Sequence, residues 1–368
     1  MNDFILRIGI YTRPEIRVRF HGPYRCQGQL LEGAQCLKSA ALYEPAADDA
    51  YFELEQVTIG VNFHWQRNEN QCFKGALELV AAPEGGWIAV NRVPLEVYLT
   101  SVISSEMSAE SDMELLKAHA VISRSWAIRA MAHPNHEGYD VCADDHCQRY
   151  EGLRRMNERA VEAVWATSGQ VLMFGDEVCD CRYHKCCGGR TEVWRTCWED
   201  RDVEYIQSVP CDFCQSPSPK ILQLVLNDYD QETRDFHDWQ VRYKDAELDA
   251  IIAEKSGIDF GHITALEPLH RGASGRIDSL KIVGTKHTET IGKELKIRLW
   301  LSKTCLYSSW FEVHHADGLW TLTGHGWGHG AGLCQIGAAV MASEGQSYDQ
   351  ILSYYYRNAK LRSEGVKE

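Results

Sequence analysis

Between residues 136 and 147 the chain sets out four side chains of the kinds that hold a tetrahedral zinc ion: His136, Cys142, His146 and Cys147. With all four positions filled by protein, such a metal is structural and anchors a loop. The spacing is irregular, and the competing reading is a reduced cysteine pair with surface histidines. A second thiol-rich stretch holds Cys179, Cys181, Cys186, Cys187, Cys197, Cys211 and Cys214. Its Cys211-x2-Cys214 spacing is that of a metal knuckle, with disulfides or packed thiols as the alternatives. A cysteine nucleophile at 186 or 187 beside His184 is a further reading. His325 and His329 are four apart, but the intervening run is Gly-rich, so the helical geometry of a zinc-protease motif is not expected.

Glu106 is the other residue whose setting suggests chemistry. Leu95, Tyr98, Leu99, Val102 and Ile103 recur at helical spacing after Pro94. Glu106 comes four residues after Val102 and three after Ile103, so a continuing helix carries it on the apolar stripe. A carboxyl taken out of water holds its proton to higher pH, as a general acid requires. The competing reading is a helix that frays at Ser104-Ser105, leaving Glu106 in water or paired with an arginine. Glu110 and Asp112 are further carboxylates, but at a helix start they read as caps.

The elements that must position these groups are legible in outline. The N-terminal part reads as β-rich. Phe4 to Ile10 is a buried-type strand, Glu15 to Phe20 alternates as a half-exposed strand does, and further strands are expected near 51–61, 71–81 and 86–91. Gly85-Gly86 marks a turn. A second helix opens at Ser111-Asp112-Met113-Glu114, with capping-box spacing, and runs to about Met131. A third covers roughly 157–168 and stops at Gly169. A hairpin is expected over 170–194, turning at Gly175-Asp176, then a short helix near 245–255, strands at 276–284 and 290–301, and a C-terminal helix through Tyr348, Ile351, Leu352 and Tyr355. Gly324 to Gly330 cannot be regular structure.

Several of these segments resemble a known family. Val93-Pro94-Leu95-Glu96-Val97-Tyr98-Leu99, Ser105-Glu106-Met107 and Leu116 to Ala127 resemble the SpoIID/LytB family. So do Tyr183-His184 with Gly188 to Glu192, and the run Gly324 to Ala338 followed by Tyr348, Ile351-Leu352 and Tyr355-Tyr356. The blocks lie in order over residues 88–361. They divide the α+β fold expected here into a β-rich N-terminal region, 1–87, and a mixed helix-and-sheet region, 88–361. The resemblance implies cleavage of peptidoglycan glycan strands by a lytic transglycosylase, with Glu106 at the position of the family's catalytic glutamate. Arg124 is the next candidate for the catalytic cleft, to orient Glu106 or to bind a substrate carboxylate or acetamido oxygen, against an alternative as a structural ion pair. His184, Trp327, His329 and Gln335 are the candidate substrate-binding residues, with a loop-fixing hydrogen bond as the alternative for His329. Zinc-bearing members carry a His, a Cys and a His-Cys pair after the catalytic helices, which His136, Cys142, His146 and Cys147 resemble. A cell-wall amidase is the partner implied, and a non-catalytic amidase enhancer or a zinc-dependent hydrolase are the rival functions. The chain departs from the pattern at Ser108, His119, Cys186, Cys187, Cys334 and Ile336.

Bulk composition narrows the classes without choosing among them. The 368 residues are 44% hydrophobic and 24% charged, as in ordinary globular domains. A net charge of −14 and no long basic run exclude the electrostatic footprint of a duplex nucleic-acid binder and disfavour an anionic membrane surface. No apolar run is long enough for membrane insertion, and the first ten residues do not read as a signal peptide. Fourteen cysteines point to a reducing compartment, whereas the implied substrate points to the cell envelope.

Overall fold

The computed structural model describes residues 4–60, 66–144, 146–227, 230–232 and 235–363. Residues 1–3 of the N-terminal run, and residue 61 at the end of one expected strand, lie outside them. The fold is α+β, and the chain forms two compact units, Met1–Asp180 with Leu361–Glu368, and Cys181–Lys360.

In the first unit, strands β1 (Ile5–Arg13), β2 (Ile16–Cys26), β3 (Gln29–Leu37), β4 (Ala41–Pro45), β5 (Tyr51–Ile59), β6 (Arg67–Phe73), β7 (Ala76–Ala81) and β8 (Trp87–Pro94) come first. Helices α1 (Leu95–Glu106), α2 (Met113–Ala132) and α3 (Glu158–Ala166) follow, with the short strand β9 (Val141–Cys142) between α2 and α3. The sheet runs β6-β5-β2-β4-β7-β8-β1-β9, with β3 also on β2. Alternation sets its faces: Ile16, Val18 and Phe20 are buried while Arg17 and Arg19 point out. Phe20 stacks on Tyr24 at 4.5 Å and Phe52 on Phe73 at 5.5 Å, so these aromatics pack the core. β3 is mostly exposed and lacks a clean apolar alternation, and this strand has no counterpart among the sequence expectations. The strand expected over 71–81 is two strands, separated at Lys74-Gly75, where Gly75 has a φ of 85°.

The division expected at residue 88 falls inside this sheet. β1 is paired on both sides by chain from beyond residue 86, antiparallel from Ile5↔Pro94 to Arg13↔Trp87 and parallel at Ile8↔Val141 and Gly9↔Cys142. Such long-range pairing leaves no mark in local composition, and the units part instead at Asp180 and Cys181.

The helices start as their residues dictate, with small differences. Pro94 is the N-cap of α1 and not a residue of its first turn. Asp112, not Ser111, caps α2, accepting the N–H of Glu114 at 2.9 Å. Glu110 is exposed and makes no cap. Strands β10 (Gln170–Phe174) and β11 (Glu177–Val178) form a hairpin around Gly175 that ends at Val178, shorter than the 170–194 expected.

The second unit contains β12 (Tyr183–His184), α4 (Trp194–Cys197), α5 (Pro219–Val225), β13 (Asp238–Lys244), α6 (Asp245–Ser256), β14 (Ile263–Arg271), β15 (Ile277–Gly284), β16 (Thr288–Ile291) and α7 (Glu294–Trp300). It continues with β17 (Phe311–Ala316), β18 (Leu319–His325), β19 (Leu333–Cys334), α8 (Gln335–Ser343) and α9 (Tyr348–Tyr355). Gly324 and His325, expected outside regular structure, instead close β18, where they pair with Trp239 and Asp238. Sheets β13-β18-β17 and β14-β15-β16 share one core with α6 and α7, in which Trp239, Ile252, Leu280, Ile297 and Trp320 are buried. The strand expected over 290–301 is corrected here: β16 stops at Ile291 and α7 takes the rest. Ile297 and Leu301, four apart, enter the core together, and buried Arg298 pairs with Glu294 at 3.4 Å one turn away. Among the described residues, no helix is long and apolar enough to cross a membrane.

One interaction in the first unit fixes the helices that carry Glu106. Arg124 of α2 is 1% exposed and grips Glu96 of α1 with two hydrogen bonds of 2.8 and 2.7 Å. Its remaining donors reach the carbonyls of Val164 in α3 and Gln170 in β10, both at 3.1 Å. Removing one member of such a pair strands the other charge in the core. Glu96→Gln is expected to cost about 3–5 kcal/mol, read as a lowered urea midpoint with an unchanged m-value.

Candidate active site

Glu106 is the last residue of α1 and the one half-accessible position in a buried stretch: Val102, Ile103, Ser105 and Met107 around it are all buried. The helix does not fray at Ser104-Ser105. Ser105 Oγ donates to the carbonyl of Ser101 at 2.8 Å, within the helical ladder. A carboxylate at a helix C-terminus faces the negative end of the macrodipole, an unfavourable place unless donors offset it. Arg149 supplies them. Its backbone N–H donates to Glu106 Oε1 at 2.8 Å and its guanidinium to the Ser105 carbonyl at 3.3 Å.

The segment 148–151 that brings Arg149 there is absent from the sequence reading. Tyr98 of α1 donates to Gln148 Oε1 at 3.1 Å, and Tyr150 donates to Asn91 Oδ1 at 2.7 Å. The rings of Tyr98 and Tyr150 lie 5.1 Å apart, and burial pushes both phenols up from their ordinary range. A cleft of about 220 Å³ is lined by Gly9, Tyr11, Gln71, Cys142, Arg149 and Glu151, among others. Glu106 is not in its lining and meets it through Arg149. Both polar atoms of the Gln71 side chain and Glu151 Oε1 are buried there without a hydrogen-bond partner. The sequence signal for this segment was its position, four polar or aromatic residues directly after Cys147.

Arg124 does not join Glu106 in that region. Its guanidinium is buried against Glu96 and two carbonyls, so the ion-pair alternative is the one observed. Asp112 is likewise a cap.

His136, Cys142, His146 and Cys147 do come together: one ligand atom from each lies within 4.8 Å of the others. His136 Nε2 is 3.1 Å from Cys147 Sγ, and His146 Nδ1 is 3.8 Å from the same sulfur. β9 fixes Cys142 against Gly9 of β1. Gly9 is required there because a Cβ would sit 2.7 Å from the ring of Tyr139, on which His136 stacks at 4.7 Å. Hydrogen bonding with Cys147 outweighs burial and, with His146, lowers the Cys142 thiol from its ordinary value to about 4. Two thiols and two imidazoles at this separation fit a tetrahedral metal ion.

The other sequence-nominated residues lie in the second unit, where two distant motifs meet. β12 pairs in parallel with β19, Tyr183↔Leu333 and His184↔Cys334, and Cys186 bridges to Trp327. His184 is buried, and its Nδ1–H donates to the Ala331 carbonyl at 3.1 Å, so that ring nitrogen carries the proton. His329 accepts the Ala331 N–H on Nδ1 at 3.1 Å, the loop-fixing bond expected as its alternative, and its ring lies tilted 4.9 Å from that of Trp198. Trp327 keeps partial exposure, whereas Gln335 is buried in the first turn of α8. The glycines follow from the packing. At Gly328 and Gly330, φ is 99° and 85°, and a Cβ would meet His184 at 2.9 Å and the Arg276 guanidinium at 2.5 Å. Cys186 and Cys187 are fully buried, which removes the nucleophile reading.

Comparison with known proteins agrees with this division. The Stage II sporulation protein family, SpoIID, matches residues 83–174, within the first unit. A domain of unknown function, DUF8618, matches residues 192–332, within the second. A Stage II sporulation protein D of Bacillus subtilis is 27% identical over 78% of this chain and 82% of its own length. That of Bacillus amyloliquefaciens is 27% identical over 74% and 75%. An amidase enhancer of Bacillus subtilis is 25% identical over 72% of this chain and 40% of its own. The first unit thus carries a SpoIID-type domain.

Two measurements check the second unit. Gly330→Ala forces a left-handed alanine onto a buried guanidinium and is expected to destabilise by at least about 1–3 kcal/mol, read by chemical denaturation. Burial first, and the Arg276 charge second, lower the pKa of His184 from 6.5 to about 3. The unfolded chain therefore gains a proton as pH falls through 6.5 while the folded one does not. Stability is complete above that pH and is lost progressively below it, by up to about 1.4 kcal/mol per pH unit. Thermal midpoints from pH 7 to 5 should fall more steeply for the wild type than for His184→Asn; equal slopes would assign the acid loss elsewhere.

Proposed function

We propose that this protein is a lytic transglycosylase that cleaves the glycan strands of peptidoglycan, with Glu106 as its acid and base. The observation that carries the reading is the placement of Glu106: a half-accessible carboxyl at the end of a buried helix, held by the Arg149 N–H, inside the segment that matches the SpoIID family.

In the neutral form, the Glu106 carboxyl gives its proton to the glycosidic oxygen as the bond from C1 of the muramoyl residue to that oxygen breaks. The departing sugar leaves as an alcohol. The resulting carboxylate then takes the proton of the muramoyl C6 hydroxyl as that oxygen bonds to C1. The product is a 1,6-anhydro end, Glu106 is returned to its acid form, and no water is consumed. Because the nucleophile belongs to the substrate, one carboxyl serves both halves of the reaction. Hydrolysis would call for a second carboxylate across the bond.

A zinc ion held by His136, Cys142, His146 and Cys147 fits this scheme as a structural element. It would supply a fixed, crosslinked loop and leaves no open position for substrate. The segment that leaves Cys147 leads directly to Arg149, so the ion would position the donor that holds Glu106. Partial exposure of Trp327 and His329 suits them to contacts with sugar rings, with a cell-wall amidase as the partner that prepares the strands.

A second reading is favoured by the likeness to an amidase enhancer. In it the chain binds glycan and stimulates another hydrolase without cutting. Mass spectrometry of purified glycan strands after incubation with the protein separates the two. Wild type is expected to yield 1,6-anhydro-muramoyl ends, and Glu106→Gln to lose about 10²–10⁴ in rate while keeping its fold. Reducing ends would point to hydrolysis, and no cleavage by a folded, zinc-loaded protein would leave the enhancer reading.

A further inference from the structure

Four cysteines in the second unit converge although the chain separates them widely. Cys187 follows β12, Cys211 and Cys214 flank a single 3-10 turn, and Cys334 ends β19. One sulfur from each lies within 4.8 Å of the other three, and all four residues are buried. Cys187 Sγ and Cys214 Sγ are 3.3 Å apart. A disulfide would need about 2.05 Å. A tetrahedral zinc with four thiolates at about 2.3 Å places its sulfurs about 3.8 Å apart.

The surroundings are those of a thiolate site. Cys334 Sγ accepts two backbone N–H groups, from Cys187 at 3.3 Å and Gly337 at 3.4 Å. It is also the N-cap of α8, at the positive end of that helix. The Tyr355 hydroxyl is 3.2 Å from Cys211 Sγ. Donors aimed at sulfur stabilise negative charge and orient metal ligands. Four unpaired thiols have no comparable use for them. Two of the four, Cys187 and Cys334, stand where the SpoIID/LytB pattern carries small hydroxyl residues. They meet each other and the Cys211-x2-Cys214 knuckle, so the departures are parts of one arrangement.

We infer that Cys187, Cys211, Cys214 and Cys334 bind a second, structural zinc ion through four thiolates. The ion clips the ends of β12 and β19 to the 3-10 turn. Cys186, adjacent to the site, is paired across to Trp327, so the same clip holds the glycine-rich loop that carries Trp327 and His329. The inference is independent of whether the protein cleaves glycan.

The test uses the full chain, purified under reducing conditions with zinc supplied. In a Cys142→Ser/Cys147→Ser variant, which lacks the first cluster, elemental analysis is expected to retain one zinc per chain. X-ray absorption should then show a first shell of sulfur alone at about 2.3 Å. Cys214→Ser/Cys334→Ser should lose that zinc. Should either variant fail to fold, wild type carries the test. Cobalt(II) substitution is expected to give the intense charge-transfer and tetrahedral bands of an all-thiolate site, and a chelator should open Cys187, Cys211, Cys214 and Cys334 to alkylation together. Zinc confined to the first cluster, alkylation of these four at the same rate with and without chelator, or a non-reduced mass showing them joined as disulfides would overturn the inference.

Discussion

The helices of the first unit depend on a buried charge pair. Arg124 and Glu96 lie almost wholly out of water, and taking two charges there is unfavourable unless every donor and acceptor is met. They are met by each other and by the carbonyls of Val164 and Gln170. One guanidinium therefore fixes α1 against α2, α3 and the start of β10 in a single geometry. That geometry decides where α1 ends and hence where Glu106 sits. Arg124 thus bears on Glu106 only through the helix that carries the carboxyl.

The two cysteine-rich clusters answer a related problem. Both units have irregular loops that leave their sheets and must return to defined places, and hydrophobic packing alone holds such loops poorly. In the first unit His136, Cys142, His146 and Cys147 gather between α2 and α3, against β1. In the second, cysteines gather beneath the glycine-rich loop. That loop is otherwise held by backbone pairing, the His329 hydrogen bond and the buried Arg276 guanidinium, which donates to the Gly328 and Cys187 carbonyls. The charge of Arg276 is linked through Ser274 to Glu192, whose carboxylate accepts the Ser274 hydroxyl at 2.6 Å.

Comparison of particular elements shows why some were legible and others not. α1 and α2 announce themselves because their apolar residues recur at helical spacing along successive turns. The seven residues of α7 are too short for a helical period to show, and only its contacts with the core reveal that Ile297 and Leu301 face the same way. β3 escaped notice because it is largely exposed and carries little apolar patterning. Arg149 leaves no mark for a different reason: it meets Glu106 through a backbone N–H, and backbone donors have no residue signature.

By itself the sequence determined the class of fold, the positions of the long helices, the motif resemblance, the nomination of Glu106 and the membership of the His136 cluster. These are local properties, set by periodicity, caps and residue chemistry within a short stretch. Tertiary structure alone decided the boundary at Asp180, the burial of Arg124, the Arg149 contact with Glu106 and the meeting of Cys334 with Cys187, Cys211 and Cys214. Each of these joins residues distant along the chain. Nothing in a local pattern specifies which distant segment fills a neighbouring place; that is settled when the sheets pair and the cores close.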